Sequence, residues 1–197
     1  MDPRRQAEID DALRAGEREV AIALLETHLQ VEPGDADARH WLGKILLDLG
    51  RRRDAGTEWR RVRRADMVSD RALGVASVQT RDRVEAAAAR ACARLPQPFA
   101  KLTKDVPVLL EERPTSELVA NGFDPRAYGL FEGPTHQDRG MVDVPPTPTR
   151  IVLYYANLAA DFPDDEALEA QVAITVEHEV GHYFGLNEDD MERLGLD

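Results

Sequence analysis

The chain has 197 residues, enough for one medium domain or two small ones, and 43% of them are apolar, so a real core can form. A single cysteine, Cys92, excludes an internal disulfide and a Cys-rich zinc site. The net charge of -12 is unevenly spread: residues 1–68 hold 13 basic and 14 acidic side chains, residues 69–197 hold 12 and 23, and such a surface repels nucleic acid phosphates.

From the N-terminus, MDPRRQAEID has charges but no apolar core of the kind a secretory signal carries. No apolar run along the chain approaches the roughly 20 residues of a membrane helix. The expectation is a cytoplasmic protein with neither a nucleic-acid nor a membrane partner. Residues 4–31 and 36–66 read as helices, with Gly16 and Gly50 as C-caps and a break at Pro33. The two halves echo each other at an offset of 34: Gly16 with Gly50, Arg18 with Arg52, Ala21 with Ala55, Leu25 with Trp59. That is the tetratricopeptide period, and WLGKIL (41–46) resembles its opening. Small residues belong where paired helices approach, and large ones fill the groove beside them. Two repeats are fewer than the three or so that normally stand alone, so this region is expected to lean on the rest of the chain, a protein partner or a second copy. RRVRRAD (60–66) reads as a solvated helix face, with a small anion-binding face as the alternative.

The domain boundary is expected between residues 68 and 69. TRDRVEAAAARACARLP (80–96) is an Ala-rich helix with Cys92 as a buried thiol. DVPVLLEE (105–112) and AYGLFEG (127–133) are strand candidates, joined by a short irregular or helical link over 113–125. RIVLYYANL (150–158) has the strongest strand character, from its β-branched and aromatic residues. A long helix is predicted over 166–185, with acidic residues where its dipole favours them, and a short last helix over 188–195. The pattern is α+β with a small sheet.

The chemistry concentrates in HEVGHYFGLNEDD (178–190). In a helix, residues i and i+4 share a face, so His178 and His182 can grip one metal ion. Glu179 lies beside the first histidine, where it can take the proton of an activated water. H-E-x-x-H is the zinc metallopeptidase signature. Zinc needs a third protein ligand if one position is to stay open. Gly185 can end the helix and turn the chain back. Glu188 then follows, where a metzincin carries its third histidine; Asp189 and Asp190 are alternative donors. His28 and His40 read as surface or packing residues, and His136 as a loop residue without assigned geometry. Met191 reads as core, and Tyr183 and Phe184 as packing on the sheet.

Across about residues 78–197, the segments VPVLLEE, AYGLFEG and RIVLYYANL, with VEHEVGHYFGLNEDDMERLG, resemble the bacterial minimal zincin-like metallopeptidases. The resemblance implies a compact α+β zincin with a small sheet above the active-site helix. It carries His178 and His182 over as zinc ligands and Glu179 as the general base. The family has an acidic residue at the position of Glu188, often Asp rather than Glu. The expected function is a Zn(2+)-dependent peptidase acting on a peptide or protein, with modest intrinsic activity because a glutamate ligand adds negative charge. Two readings compete with it: a zinc-binding protein without turnover, and an adaptor with a structural zinc site. A substrate strand is expected to pair with a free sheet edge, for which RIVLYYA is the candidate.

Overall fold

The computed structural model describes residues 1–97, 99–136 and 148–194. The chain forms two compact units, Met1–Ala72 with Pro114–Arg126, and Leu73–Arg113 with Ala127–Asp197.

The first unit is helical, with α1 Pro3–Arg14, α2 Arg18–Val31, α3 Ala36–Asp48 and α4 Arg52–Leu73. Asp2 and Asp35 cap α1 and α3 through their carboxylates. The equivalent pairs of the 34-residue offset, Ala21 with Ala55 and Leu25 with Trp59, are all buried. The small–large complementarity is literal: a Cβ on Gly43 would collide with the Trp59 indole. That indole donates from Nε1 to the His40 carbonyl at 3.0 Å. α4 runs well beyond the predicted end near residue 66.

Residues 114–125 of the link are part of this unit. Residues 114–126 leave the second unit and return to it. In between, α7 (Ser116–Ala120), capped by Thr115, puts Val119 against Trp59 and Val62. A Cβ on Gly56 would strike the Ala120 carbonyl, so the helices meet backbone to side-chain-free backbone. Arg126 then clamps Asp66 with two hydrogen bonds of 2.9 and 3.0 Å and reaches Asp37 at 2.7 Å. His40 pairs with Asp124 at 2.8 Å and His28 with Asp35 at 2.8 Å, so both histidines have structural partners.

The second unit starts with α5 (Val78–Arg94), capped by Ser77, and the single turn α6 (Phe99–Leu102), which carries no signal strong enough to read from sequence. Among the described residues three strands follow: β1 Val108–Glu111, β2 Gly129–Glu132 and β3 Arg150–Tyr154. The sheet order is β1-β3-β2, with β1 parallel and β2 antiparallel to β3. Among the described residues β3 is therefore central and flanked by β1 and β2, so RIVLYYA, the candidate for a free edge, does not supply one. The strand also stops at Tyr154, and Tyr155–Asp161 form helix α8 instead of strand. The reason lies in its start. Ala156 N–H donates to the Glu112 carbonyl at 3.1 Å, and Asn157 Nδ2 donates to the Ala127 carbonyl at 2.6 Å. These two bonds also hold together the points where the chain leaves for α7 and comes back.

α9 (Asp165–Tyr183) closes the unit with α10 (Glu188–Leu194). Asp164 caps α9 by accepting from Glu166 and Ala167 N–H at 3.0 and 3.1 Å. Leu168, Val172, Val176, Val180 and Tyr183 make one buried stripe, set against the alanine face of α5 (Val84, Ala87, Ala88, Ala91) and the sheet residues Ile151 and Leu153. Small residues on α5 let the two helices lie close. Glu169 on the rim of this pair receives Arg90 and Arg94, at 2.7 and 3.0 Å. Cys92 is half-buried and burial pushes its thiol up, as expected of an unreactive helix cysteine.

Candidate metal centre

α9 brings His178, Glu179 and His182 to its last two turns. The imidazoles of His178 and His182 face each other edge to face, with centroids 4.8 Å apart. His182 Nδ1 lies 3.2 Å from the Leu186 carbonyl. A carbonyl only accepts, so in this contact Nδ1 carries the proton, and Nε2 is the ring nitrogen that would ligate a metal.

Leu186 reaches that position because the helix ends where the sequence says it should. Gly185 has φ +81°, Gly185 N–H donates to the His182 carbonyl at 2.9 Å, and Leu186 N–H donates to the Gly181 carbonyl at 3.1 Å. This is a Schellman termination, and it turns the chain back beneath the histidines. The same glycine that stops the helix thus orients one of the imidazoles.

Glu179 points elsewhere than its neighbours. It is 5% exposed and belongs to the buried stripe of α9 that faces the sheet. β2 passes directly over it: a Cβ on Gly129 would lie 2.6 Å from Glu179 Oε1 and 2.9 Å from Thr175 Cγ2. A strand with a side chain at 129 would push the carboxylate away. Tyr154, at the end of β3, lies in the same acidic field. Burial, and then the charges of Glu111, Glu132 and Glu179, push its phenol far up, so it stays a neutral O–H. Sequence reading missed both residues. Gly129 carried a signal, a glycine inside a strand, which marks close approach; Tyr154 read only as strand core.

After α9 the chain is fixed by Met191 of α10, which is fully buried. A Cβ on Gly181 would lie 2.7 Å from Met191 Sδ, so the glycine inside HEVGH is the space into which α10 docks. Met191 is core, as its sequence position suggested. Asn187 and Asp190 cap each other: Asp190 N–H donates to Asn187 Oδ1 at 2.9 Å, and Asn187 N–H to Asp190 Oδ2 at 3.3 Å. Asp190 is also paired with Arg193, so its carboxylate is committed to the start of α10. Asp189 is exposed. Glu188 opens α10, six residues beyond His182, and its side chain lies outside the described residues. Among the described residues, no third His, Cys, Asp or Glu joins the histidine pair.

His136 lies nearer the site than its loop position indicated. Its N–H donates to the Tyr183 carbonyl at 2.7 Å, and its ring meets those of Tyr183 and Phe184 at 5.5 Å. Tyr183 also packs on Phe131 of β2, and Phe184 on Phe99 of α6, so both aromatics are packing residues. The rest of the expected polar loop, residues 137–147, lies outside the described residues.

Residues 103–196 match the family model of the zincin-like metallopeptidases, and residues 12–77 match that of a tetratricopeptide repeat. No curated protein matches the chain. The first family implies a metal cofactor, typically zinc, and the imidazole pair of His178 and His182 is a donor set that suits it. No described helix is long and apolar enough to cross a membrane. The chain therefore pairs a region that matches the zincin-like metallopeptidases, residues 103–196, with a preceding match to a tetratricopeptide repeat.

Proposed function

We propose that the protein is a zinc-dependent peptidase in which His178, His182 and Glu188 hold the metal and Glu179 is the general base. The observation that carries this reading is the division of labour on α9. Two imidazoles share one face, one of them oriented through its Nδ1 by the Leu186 carbonyl, while the adjacent carboxylate is held under β2. The family match supports it in general terms.

A bound zinc ion supplies a Lewis acid that polarises a peptide carbonyl and acidifies a water. The chain's own residues do the rest. Glu179 accepts a proton and returns it to the leaving nitrogen. Its position is set by the packed faces of α9 and β2, so little reorganisation is needed at the moment of transfer. Among the described residues β2 is an outer strand, and it runs over Glu179, so its outer edge is the natural place for an extended substrate to add as a further strand. The tetratricopeptide region supports a role in protein contact, with a partner or with a second copy of the chain.

Glu179→Gln tests the reading. It keeps the volume and removes the base. Zinc content should be unchanged, and hydrolysis of a mixed peptide library or of casein fragments should fall by about 10²-fold or more. Equal turnover in the variant would exclude Glu179 as the base. Full zinc with no hydrolysis by the unaltered protein would favour a zinc-binding role without turnover.

A further inference from the structure

α4 carries a feature the peptidase reading does not use. Thr57, Arg60, Arg64, Met67 and Arg71 recur at helical spacing and therefore share one face. They line a groove of about 460 Å³, with Arg61, Arg63, Val68 and Ser116 along its sides. The arginines in it are not equivalent. Arg61 is neutralised by Glu58 at 2.6 Å, and Arg63 donates to the Pro114 carbonyl at 2.5 Å. Arg60, Arg64 and Arg71 are exposed, and among the described residues no carboxylate pairs with them.

Three uncompensated guanidinium groups on one face are unusual in a chain of net charge -12. Like charges one turn apart destabilise a helix, by about 0.2–0.5 kcal/mol per pair, so the fold itself gains nothing from placing Arg64 after Arg60. The groove is also not purely polar. Val68, 64% exposed, sits on its rim, and Met67 is half-buried within it.

We propose that this groove binds an acidic peptide segment, carboxylates pairing with Arg60, Arg64 and Arg71 and an apolar side chain covering Met67 and Val68. Guanidinium groups present paired N–H donors that match a carboxylate. From Arg60 to Arg71 the helix rises about 16 Å, the span of roughly five residues of extended chain. Alternate acidic residues of such a segment all face one side. Its mix of charge and one apolar contact is what distinguishes it from a nucleic acid. Among the described residues lining the groove there is no aromatic ring on which a base would stack.

Fluorescence anisotropy on the full chain tests the proposal. The probe is a labelled peptide of alternating Glu and Ser with one central Leu. The triple variant R60E/R64E/R71E is compared with R4E/R18E/R81E, which changes net charge equally at exposed arginines elsewhere, and circular dichroism verifies that both retain their helix. Binding should be saturable and weaken about tenfold between low and 0.3 M salt. It should be lost in the first variant and kept in the second. Replacing the central Leu by Ser should weaken it several-fold. Equal loss in both variants would reduce the effect to net charge and overturn the proposal. So would tighter binding of a single-stranded RNA of similar length, or no binding at about 1 mM peptide.

Discussion

The two units reach stability by opposite routes. In the first, neighbouring helices carry their own complement: a small residue on one, a large one on the next, repeated at an offset of 34. Gly43 under Trp59 is the clearest instance. In the second, contacts come from far along the chain. α5 lies on α9, β1 lies beside β3, and Gly129 lies over Glu179. A repeat writes its packing into local spacing, whereas the second unit is assembled from segments whose mutual positions only the fold reveals.

The largest effect expected from this contrast is at Trp59. It is buried and ties α3, α4 and α7 together. Trp59→Ala should destabilise the first unit by about 3–5 kcal/mol. Because the damage is local to the repeat, zinc affinity should stay within a factor of about two. Denaturant melts read alongside zinc titrations measure both. A tenfold loss of zinc affinity in this variant would break the distinction between the units.

The complementary change is smaller in stability and larger in function. Gly181→Ala places a methyl group against Met191 Sδ and should cost about 1–3 kcal/mol through overpacking. It should also weaken zinc binding, because it moves α10, where Glu188 begins. Met191→Ala in the same chain should restore part of the zinc affinity by making room. A double-mutant cycle on zinc affinity checks this, and strict additivity would show that α10 is not positioned through this contact.

A pH effect is the smallest, and it belongs to the repeat. Burial opposes ionisation of Asp35. The Ala38 N–H, His28 and the terminal amine outweigh it and hold the carboxyl at about 2, below the usual carboxylate range. A depressed carboxyl stabilises the fold above its unfolded value and loses that contribution as pH falls. Stability of the first unit should therefore drop between about pH 4 and pH 2. Asp35→Asn should flatten that drop, at a cost near neutral pH of about 1 kcal/mol. Thermal melts followed across this range would reveal it, and a variant with the same acid profile as the unaltered chain would contradict the assignment.

How much was legible depends on local spacing in both units. The helices of the repeat, the turn at Gly185, the histidine spacing and the core role of Met191 were all readable, because each rests on local spacing. The excursion over 114–126 was not. Nothing in RPTSELVANGFDP says that Val119 meets Trp59, since that contact joins residues 60 apart in sequence. RIVLYYANL was read as one strand because Tyr155 and Asn157 suit either conformation; the bonds from Ala156 and Asn157 to Glu112 and Ala127 decide for a helix. Its place at the centre of the sheet was invisible for the same reason. β3 pairs on one side with a strand some 40 residues earlier and on the other with one about 20 earlier, and pairing order is not a property of the strand itself.

The central claim is that the face of α9 bearing His178 and His182 is the metal site. Elemental analysis of the unaltered chain, of His178→Ala and of His182→Ala, each purified without chelator, tests it most directly. The unaltered protein should hold about one zinc per chain, and each variant should lose stoichiometric zinc with helical content retained. Full zinc occupancy in both variants would contradict it.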